Sequence, residues 1–216
     1  MQLFPDVEDI VPLTALQQGL AYESLSTAAN QSDAYHVQLM LTLKGKLDFA
    51  SMQRAWTKLT ARHAILRLVL APPGIATGIG LIRSTSGLGL EKFDFTGSPK
   101  EAIEALRCTD LNHAFDFETG PLIRMSICQL EEDSNALLIS NHHLILDGWS
   151  SAQLGSELAQ LYEAEQTSYT AELAKPFLWQ DHLKWLATKN KDQAKSYWRN
   201  YLSELTSPVR LMFTSP

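Results

Sequence analysis

The sequence predicts a mixed α/β fold in which helices pack on a mostly antiparallel sheet. Three patterns carry that reading. Residues 35–43 alternate between apolar and polar, residues 122–130 and 136–141 are strand-like runs around the polar turn EEDSN, and several helical stretches open on recognisable caps. With 216 residues, 45% of them hydrophobic, the chain can bury a sizeable core, and no linker or composition shift divides it.

The elements follow in chain order. Thr14 and Gln17 have capping-box spacing, with Leu16 and Leu20 at helical separation, so a helix is expected to about residue 25, ended by the polar stretch STAANQSDA. In the alternating run, Val37, Leu39, Leu41 and Leu43 share one face and Gln38, Met40 and Thr42 the other, as in a strand with one face buried. Asp48 is placed to cap a helix whose Phe49, Met52, Trp56, Leu59 and His63 fall on one stripe. Leu66, Leu68 and Leu70 alternate again before APPGIATGIG, whose two prolines and three glycines predict a surface loop or hairpin.

Ser98, Pro99 and Glu101 combine a cap, a proline at the first helical position and a capping-box carboxylate, predicting a helix to about His113 with Ile103 and Leu106 on one face. The two strand-like runs then form an antiparallel hairpin whose second strand leads directly into HHLILDG, residues 142–148. Ser150 and Gln153 suggest another capping box, opening a helix that carries Leu154, Leu158 and Leu161. Amphipathic segments surround Trp185 and Trp198, whose indoles, like that of Trp179, are expected in the core, and residues 208–216 read as irregular.

Composition excludes several functions. The net charge is −6, with no basic run and no Cys/His finger spacing, so nucleic acid and anionic membrane are not expected partners. Cys108 and Cys128 suit neither a metal clip nor a disulfide framework, which makes a reducing cytoplasm the simplest setting. The N-terminal residues lack a basic leader, and no run approaches the ~20 apolar residues that span a bilayer, so a soluble, unsecreted protein is expected.

The chemistry concentrates in HHLILDG. Adjacent strand residues face opposite ways, so His142 and His143 cannot both enter one site while the strand continues. One is structural, and the other is presented where the chain leaves the sheet. Asp147 is close enough in sequence to restrain a neighbouring loop or ring, and Gly148 removes a side chain where a substrate would approach the backbone. A histidine, with its ordinary pKa of ~6.5, beside an aspartate suits a general base near neutrality. The same residues also suit a purely structural arrangement in which they satisfy one another and buried backbone groups. No metal site is expected, because the adjacent histidines diverge and no second cluster completes a ligand set.

HHLILDGWS, residues 142–150, resembles the third motif of the condensation domains of non-ribosomal peptide synthetases. PLTALQQGL, residues 12–20, is similar to the family's opening motif and RHAILR, residues 62–67, to its second, while PFLWQDHLKWL and SYWRNYL resemble the region that follows the third. The resemblance implies a chloramphenicol-acetyltransferase-like fold of two lobes, with the active site in a tunnel between them. Residues 1–216 then correspond to the N-terminal lobe, the C-terminal lobe being absent.

The implied reaction is peptide-bond formation between an acyl or peptidyl thioester on a donor peptidyl carrier protein and an aminoacyl thioester on an acceptor carrier protein. Phosphopantetheine arrives on these partners, and the chain itself binds no cofactor. His143 is the implied catalytic histidine, acting as base toward the amine or positioning it and stabilising the tetrahedral intermediate, and His142 supports it. Asp147 is implied to be structural and paired with Arg67 or Arg62, whose alternative is an exposed helix-end charge. Gly148 keeps the tunnel open, and Trp149 and Ser150 stand at a possible substrate channel, with packing as the alternative for the indole.

The histidine motif argues against the heterocyclising branch, DGWSSAQL against the epimerising one, and QQG hints at a donor ending in a D-residue. Residues 71–90 match the family poorly, and their glycines predict a looser strand pair. Two other functions fit the same motif: a coenzyme-A-dependent acyltransferase, and a carrier-protein-binding fragment without chemistry. A lone lobe lacks one wall of the site, so little or no turnover is expected from it.

Overall fold

The structure is a computed structural model that describes residues 6–27, 33–72, 74, 77–84, 88–167 and 169–207. Parts of the STAANQSDA and APPGIATGIG segments and the irregular tail 208–216 lie outside the described residues. The elements run β1 (Val7–Pro12), α1 (Ala15–Thr27), β2 (His36–Lys44), α2 (Phe49–Arg62), a 3₁₀ turn (Ala64–Arg67), β3 (Leu68–Leu70), β4 (Ile79–Arg83) and β5 (Leu90–Lys92). They continue with α3 (Pro99–Leu111), β6 (Ile123–Glu131), β7 (Ser134–His142), α4 (Gly148–Gln166), α5 (Trp179–Ala187) and α6 (Lys191–Tyr201).

The strands divide between two sheets, ordered β1-β4-β3 and β2-β7-β6-β5. Every pair is antiparallel except β5 with β6. Three helix starts are made as their sequences predict. Thr14 N–H donates to Gln17 Oε1 at 2.9 Å while Gln17 N–H donates to Thr14 Oγ1 at 3.2 Å. Asp48 accepts from the N–H groups of Ala50 and Ser51, and Ser98 with Glu101 forms the reciprocal capping box of α3.

Strand β7 lies between β2 and β6 and is covered on both faces. On one face, Leu137 and Ile139 join Met52, Trp56 and Leu59 of α2 and Leu154 and Leu158 of α4. On the other, Ala136 and Leu138 meet Ala102 and Leu106 of α3. Two-sided burial explains why NALLIS reads as a continuous apolar run, whereas β2 alternates. β2 is an edge strand, and Leu39 and Leu41, predicted to be buried, are exposed, while Leu43 packs against the core.

Three further expectations are corrected. Residues 68–70 and 79–83 pair tightly: a Cβ on Gly80 would lie 2.5 Å from Leu68 Cδ1, so this glycine serves close packing where a looser pair was expected. β1 and β5 escaped detection, because β1 carries three acidic or proline positions and buries only Val11, and β5 spans three residues. α5 and α6 bury no residue, so Trp185 and Trp198 stand at the surface; of the three tryptophans on these helices only Trp179 packs against the core, together with Leu183 of α5.

A buried carboxylate ties α3 to the second sheet. Asp110, 8% exposed, accepts from His36 Nε2 at 2.9 Å, Gln38 Nε2 at 2.6 Å, Ser140 Oγ at 2.5 Å and Arg124 Nη2 at 2.9 Å. Burial alone would raise its pKa, but the donors of His36, Ser140 and Gln38 and the Arg124 charge outweigh burial and hold it well below the usual carboxylate range.

Removing this carboxylate leaves several buried donors unpaired, so Asp110→Ala is expected to cost about 3 kcal/mol of folding stability. Because the folded pKa lies below the unfolded one, the unfolded chain takes up the proton first on acidification. The contribution of Asp110 is therefore complete above pH ~4 and lost as pH falls below it. Urea midpoints of wild type and Asp110→Asn, measured at pH 5 and pH 3, should show the steeper acid loss in wild type. Equal slopes would remove Asp110 from this role.

Candidate active site

The HHLILDG segment spans the end of β7 and the first residue of α4. His142 closes the strand with its N–H on the Leu122 carbonyl at 3.0 Å, and His143 N–H donates to the Tyr35 carbonyl at 3.0 Å. The two rings diverge as strand alternation requires: His142 is fully buried and His143 is exposed.

The His142 ring sits edge-on to Phe117, with centroids 4.9 Å apart. Its Nδ1 accepts the N–H of Leu144 at 3.0 Å, so the ring proton is on Nε2, which faces Asp33 Oδ2 at 3.1 Å and Ser24 Oγ at 3.0 Å. Burial lowers the His142 pKa against the opposing pull of Asp33, which favours the neutral ring. His142 is thereby a structural residue that bends the chain back over itself.

His143 has the opposite arrangement. Its Nδ1 lies 3.0 Å from the carbonyl oxygen of Leu146. A carbonyl only accepts, so Nδ1 carries the proton, and in the neutral ring the lone pair is left on Nε2. Four residues later Asp147 caps α4, accepting from Ser150 N–H at 2.8 Å and Ser150 Oγ at 2.7 Å. These bonds lower its pKa, the backbone bond from Ser150 contributing most. The cap of α4 is therefore Asp147, three residues before the Ser150 cap predicted from sequence, and the helix starts at Gly148.

The arginine partners expected for Asp147 are engaged elsewhere. Arg67 donates to Glu8 Oε2 at 2.5 Å and to the carbonyls of Thr60 and Arg83. Arg62 donates to Glu157 Oε2 at 2.9 Å and to the Ala174 carbonyl, with His63 Nε2 2.7 Å from the same carboxylate oxygen. The reason is topological: the 3₁₀ turn Ala64–Arg67 that follows α2 carries Arg67 toward the first sheet, and Arg62, at the end of α2, stays against α4 beside Glu157. Among the described residues Asp147 has helix-capping partners only.

Gly148, Trp149 and Ser150 are exposed at the start of α4. A Cβ on Gly148 would meet nothing within 4 Å, so the packing of this chain does not demand a glycine there. Trp149 is 89% exposed, which excludes core packing for its indole. Ser24, Asp33 and the contact of Gln17 Nε2 with the Leu144 carbonyl at 3.0 Å were not foreseen as parts of the site. They lie more than a hundred residues from the motif, and no local spacing signals such a contact; Gln17 was visible as a helix cap and as part of the opening motif, not as a neighbour of the histidine loop.

Among the described residues no group of His, Cys, Asp and Glu is arranged to hold a metal ion, Cys108 and Cys128 are free thiols, and no helix is long and apolar enough to cross a membrane.

Comparison with known proteins places this geometry in context. Bacitracin synthase 3 of Bacillus licheniformis is 30% identical over 213 residues, which is 96% of this chain and 3% of that protein. Malpinin synthetase of Mortierella alpina is 32% identical over 202 residues, 89% of this chain and 2% of that protein. The chain thus spans a small part of the curated relatives it matches. The solved starter condensation domain of the rhizomide synthetase superposes with a TM-score of 0.79 at 15% identity, covering 93% of this chain and 50% of that one. The X-domain complex with OxyB from teicoplanin biosynthesis gives a TM-score of 0.80 at 24% identity, covering 96% of this chain and 46% of the matched chain. At these identities the two structures establish the fold, which is the chloramphenicol-acetyltransferase-like α/β arrangement, over about half of each solved chain. The condensation domain family model matches residues 7–212, taking in β1, the histidine loop and α6, and this chain belongs to that family.

Proposed function

We propose that the chain is the first lobe of a condensation domain and supplies the histidine half of a site for peptide-bond formation between two carrier-protein thioesters. The observation that supports this most directly is the exposed His143, with Nδ1 committed to the Leu146 carbonyl so that the lone pair of the neutral ring is left on Nε2. In the proposed reaction the acceptor amine attacks the donor thioester carbon, forming the C–N bond, and collapse of the tetrahedral intermediate breaks the C–S bond. Nε2 takes a hydrogen bond from the amine, orienting its lone pair, and is placed to receive the proton that the nitrogen loses and pass it to the departing thiolate. Phosphopantetheine is the arm that carries both substrates, and no cofactor of the chain's own takes part.

The half-domain reading rests on two features. The chain spans about half of the solved chains it superposes on. It also exposes a run of large apolar side chains, Trp185, Tyr197, Trp198, Tyr201 and Leu205, on and beyond two helices without a buried residue. The second lobe is the proposed cover for that surface and the missing wall opposite His143. A cytoplasmic setting with donor and acceptor carrier proteins as partners completes the proposal.

Single-turnover amide formation between loaded donor and acceptor carrier proteins, in this chain joined to or mixed with a C-terminal lobe, tests the reading. His143→Ala is expected to slow product formation by about 100-fold or more. Full activity of His143→Ala, or competition by free coenzyme A as the true acyl donor, would overturn it. In the same assay Trp149→Ala should raise KM for the acceptor carrier protein while changing folding stability by less than about 0.5 kcal/mol, since the indole is solvent-exposed in this lobe. An unchanged KM would take Trp149 out of the acceptor channel.

A further inference from the structure

The first turn of α1 and the histidine loop are joined by one side chain. Gln17 is 5% exposed, and its carboxamide works in two directions. Oε1 accepts the Thr14 N–H at 2.9 Å and completes the helix cap, while Nε2 donates to the Leu144 carbonyl at 3.0 Å. The orientation of the amide is unambiguous, because a backbone N–H can only donate and a carbonyl can only accept.

Leu144 directly follows His143, and both of its backbone polar groups are held by side chains. Its N–H donates to His142 Nδ1 at 3.0 Å, and its carbonyl accepts from Gln17. The turn is closed by Ile145 N–H on the His142 carbonyl at 3.2 Å, and Leu146 then returns its own carbonyl to His143 Nδ1 at 3.0 Å. The group that sets the His143 tautomer is thus two residues beyond the peptide that Gln17 holds. Rotation of the Leu144 carbonyl away from Gln17 would carry the Leu146 carbonyl out of line. A buried carbonyl left without a donor favours such a rotation, since its desolvation is then uncompensated.

We propose that Gln17 is a positioning residue for His143: by holding the Leu144 carbonyl it fixes the turn that keeps the His143 proton on Nδ1 and leaves the lone pair on Nε2. The catalytic consequence rests on the reading of His143 given above; the geometric one does not. Helix capping alone does not call for glutamine, because glutamate serves a capping box equally well. The donor half of the amide is what the Leu144 carbonyl requires. Gln17→Glu therefore keeps the acceptor for Thr14 and loses the donor for Leu144 at neutral pH, and Gln17→Met fills the volume with neither function.

The test uses the chain with ¹⁵N-labelled histidine. Ring nitrogen shifts report the His143 tautomer, with Thr14→Ala as a control that weakens the same cap without touching the Leu144 carbonyl. Wild type and Thr14→Ala should show the proton on Nδ1, and both Gln17 variants should lose that preference. With the second lobe supplied, kcat should fall by about 10- to 100-fold in the Gln17 variants, with KM for either carrier protein within about twofold of wild type.

A wild-type tautomer in both Gln17 variants overturns the proposal, as does a change in Thr14→Ala as large as that in Gln17→Glu. If neither Gln17 variant folds, Gln17 is a core-stability residue and the proposal fails. A lost tautomer together with full activity in His143→Ala would leave the positioning role standing and remove the catalytic reading of His143.

Discussion

The constraint on which the site depends is that strand β7 is covered on both faces to its last residue. A ring at that position cannot reach water, so both nitrogens of His142 must find partners inside the protein. One is satisfied by the Leu144 N–H and the other by Asp33 and Ser24. The first of these bonds folds the chain back as it leaves the sheet. The second ties the turn to the segment between α1 and β2. Strand alternation turns the His143 ring away from that of His142, and because β7 ends at His142 the next ring lies beyond the covered sheet and is exposed. The pair of histidines is one structural device with an inner and an outer half.

The same logic governs the charged groups. Asp110 and Glu157 are buried carboxylates with several donors each, and each joins elements that are distant in sequence. Asp110 fastens α3 to β2, β6 and β7 under the outer face of the sheet, and Glu157 fastens α4 to the end of α2. Neither is valuable as an isolated ion pair, because burial costs each charge its hydration. Their worth is that the alternative, a docked helix with unpaired donors, is costlier. Arg62 is drawn into the Glu157 cluster and Arg67 toward Glu8, and Asp147 is left to the electrostatics of a helix start.

His143 and the start of α4 are exposed. Gly148 has space above it, Trp149 projects from the first turn of α4, and α5 and α6 carry aromatic side chains outward. An amphipathic helix with no buried residue has an apolar face in search of a cover. In the proposed condensation site that cover also excludes water from the reacting thioester and amine, which is where catalytic advantage from positioning arises. In that proposal the chain supplies a preorganised histidine, and the second lobe completes the environment in which it acts.

Local chemistry was legible in the sequence. The caps at Thr14, Asp48 and Ser98 and the β6–β7 hairpin depend on contacts only a few residues apart, so propensity and spacing determine them. The divergence of His142 and His143 is equally local, since it follows from the pleat of a strand. Family membership was legible too, through several motifs in order. Tertiary structure decided which histidine is buried, which carboxylates the arginines meet, and that Leu39, Leu41, Trp185 and Trp198 face outward. Gln17 shows the division within one side chain. Its bond to Thr14 is written in a three-residue spacing, and its bond to Leu144 spans 127 residues. An apolar or hydrogen-bonding side chain carries no mark of its distant partner; only the packing of helices on a sheet brings the two together.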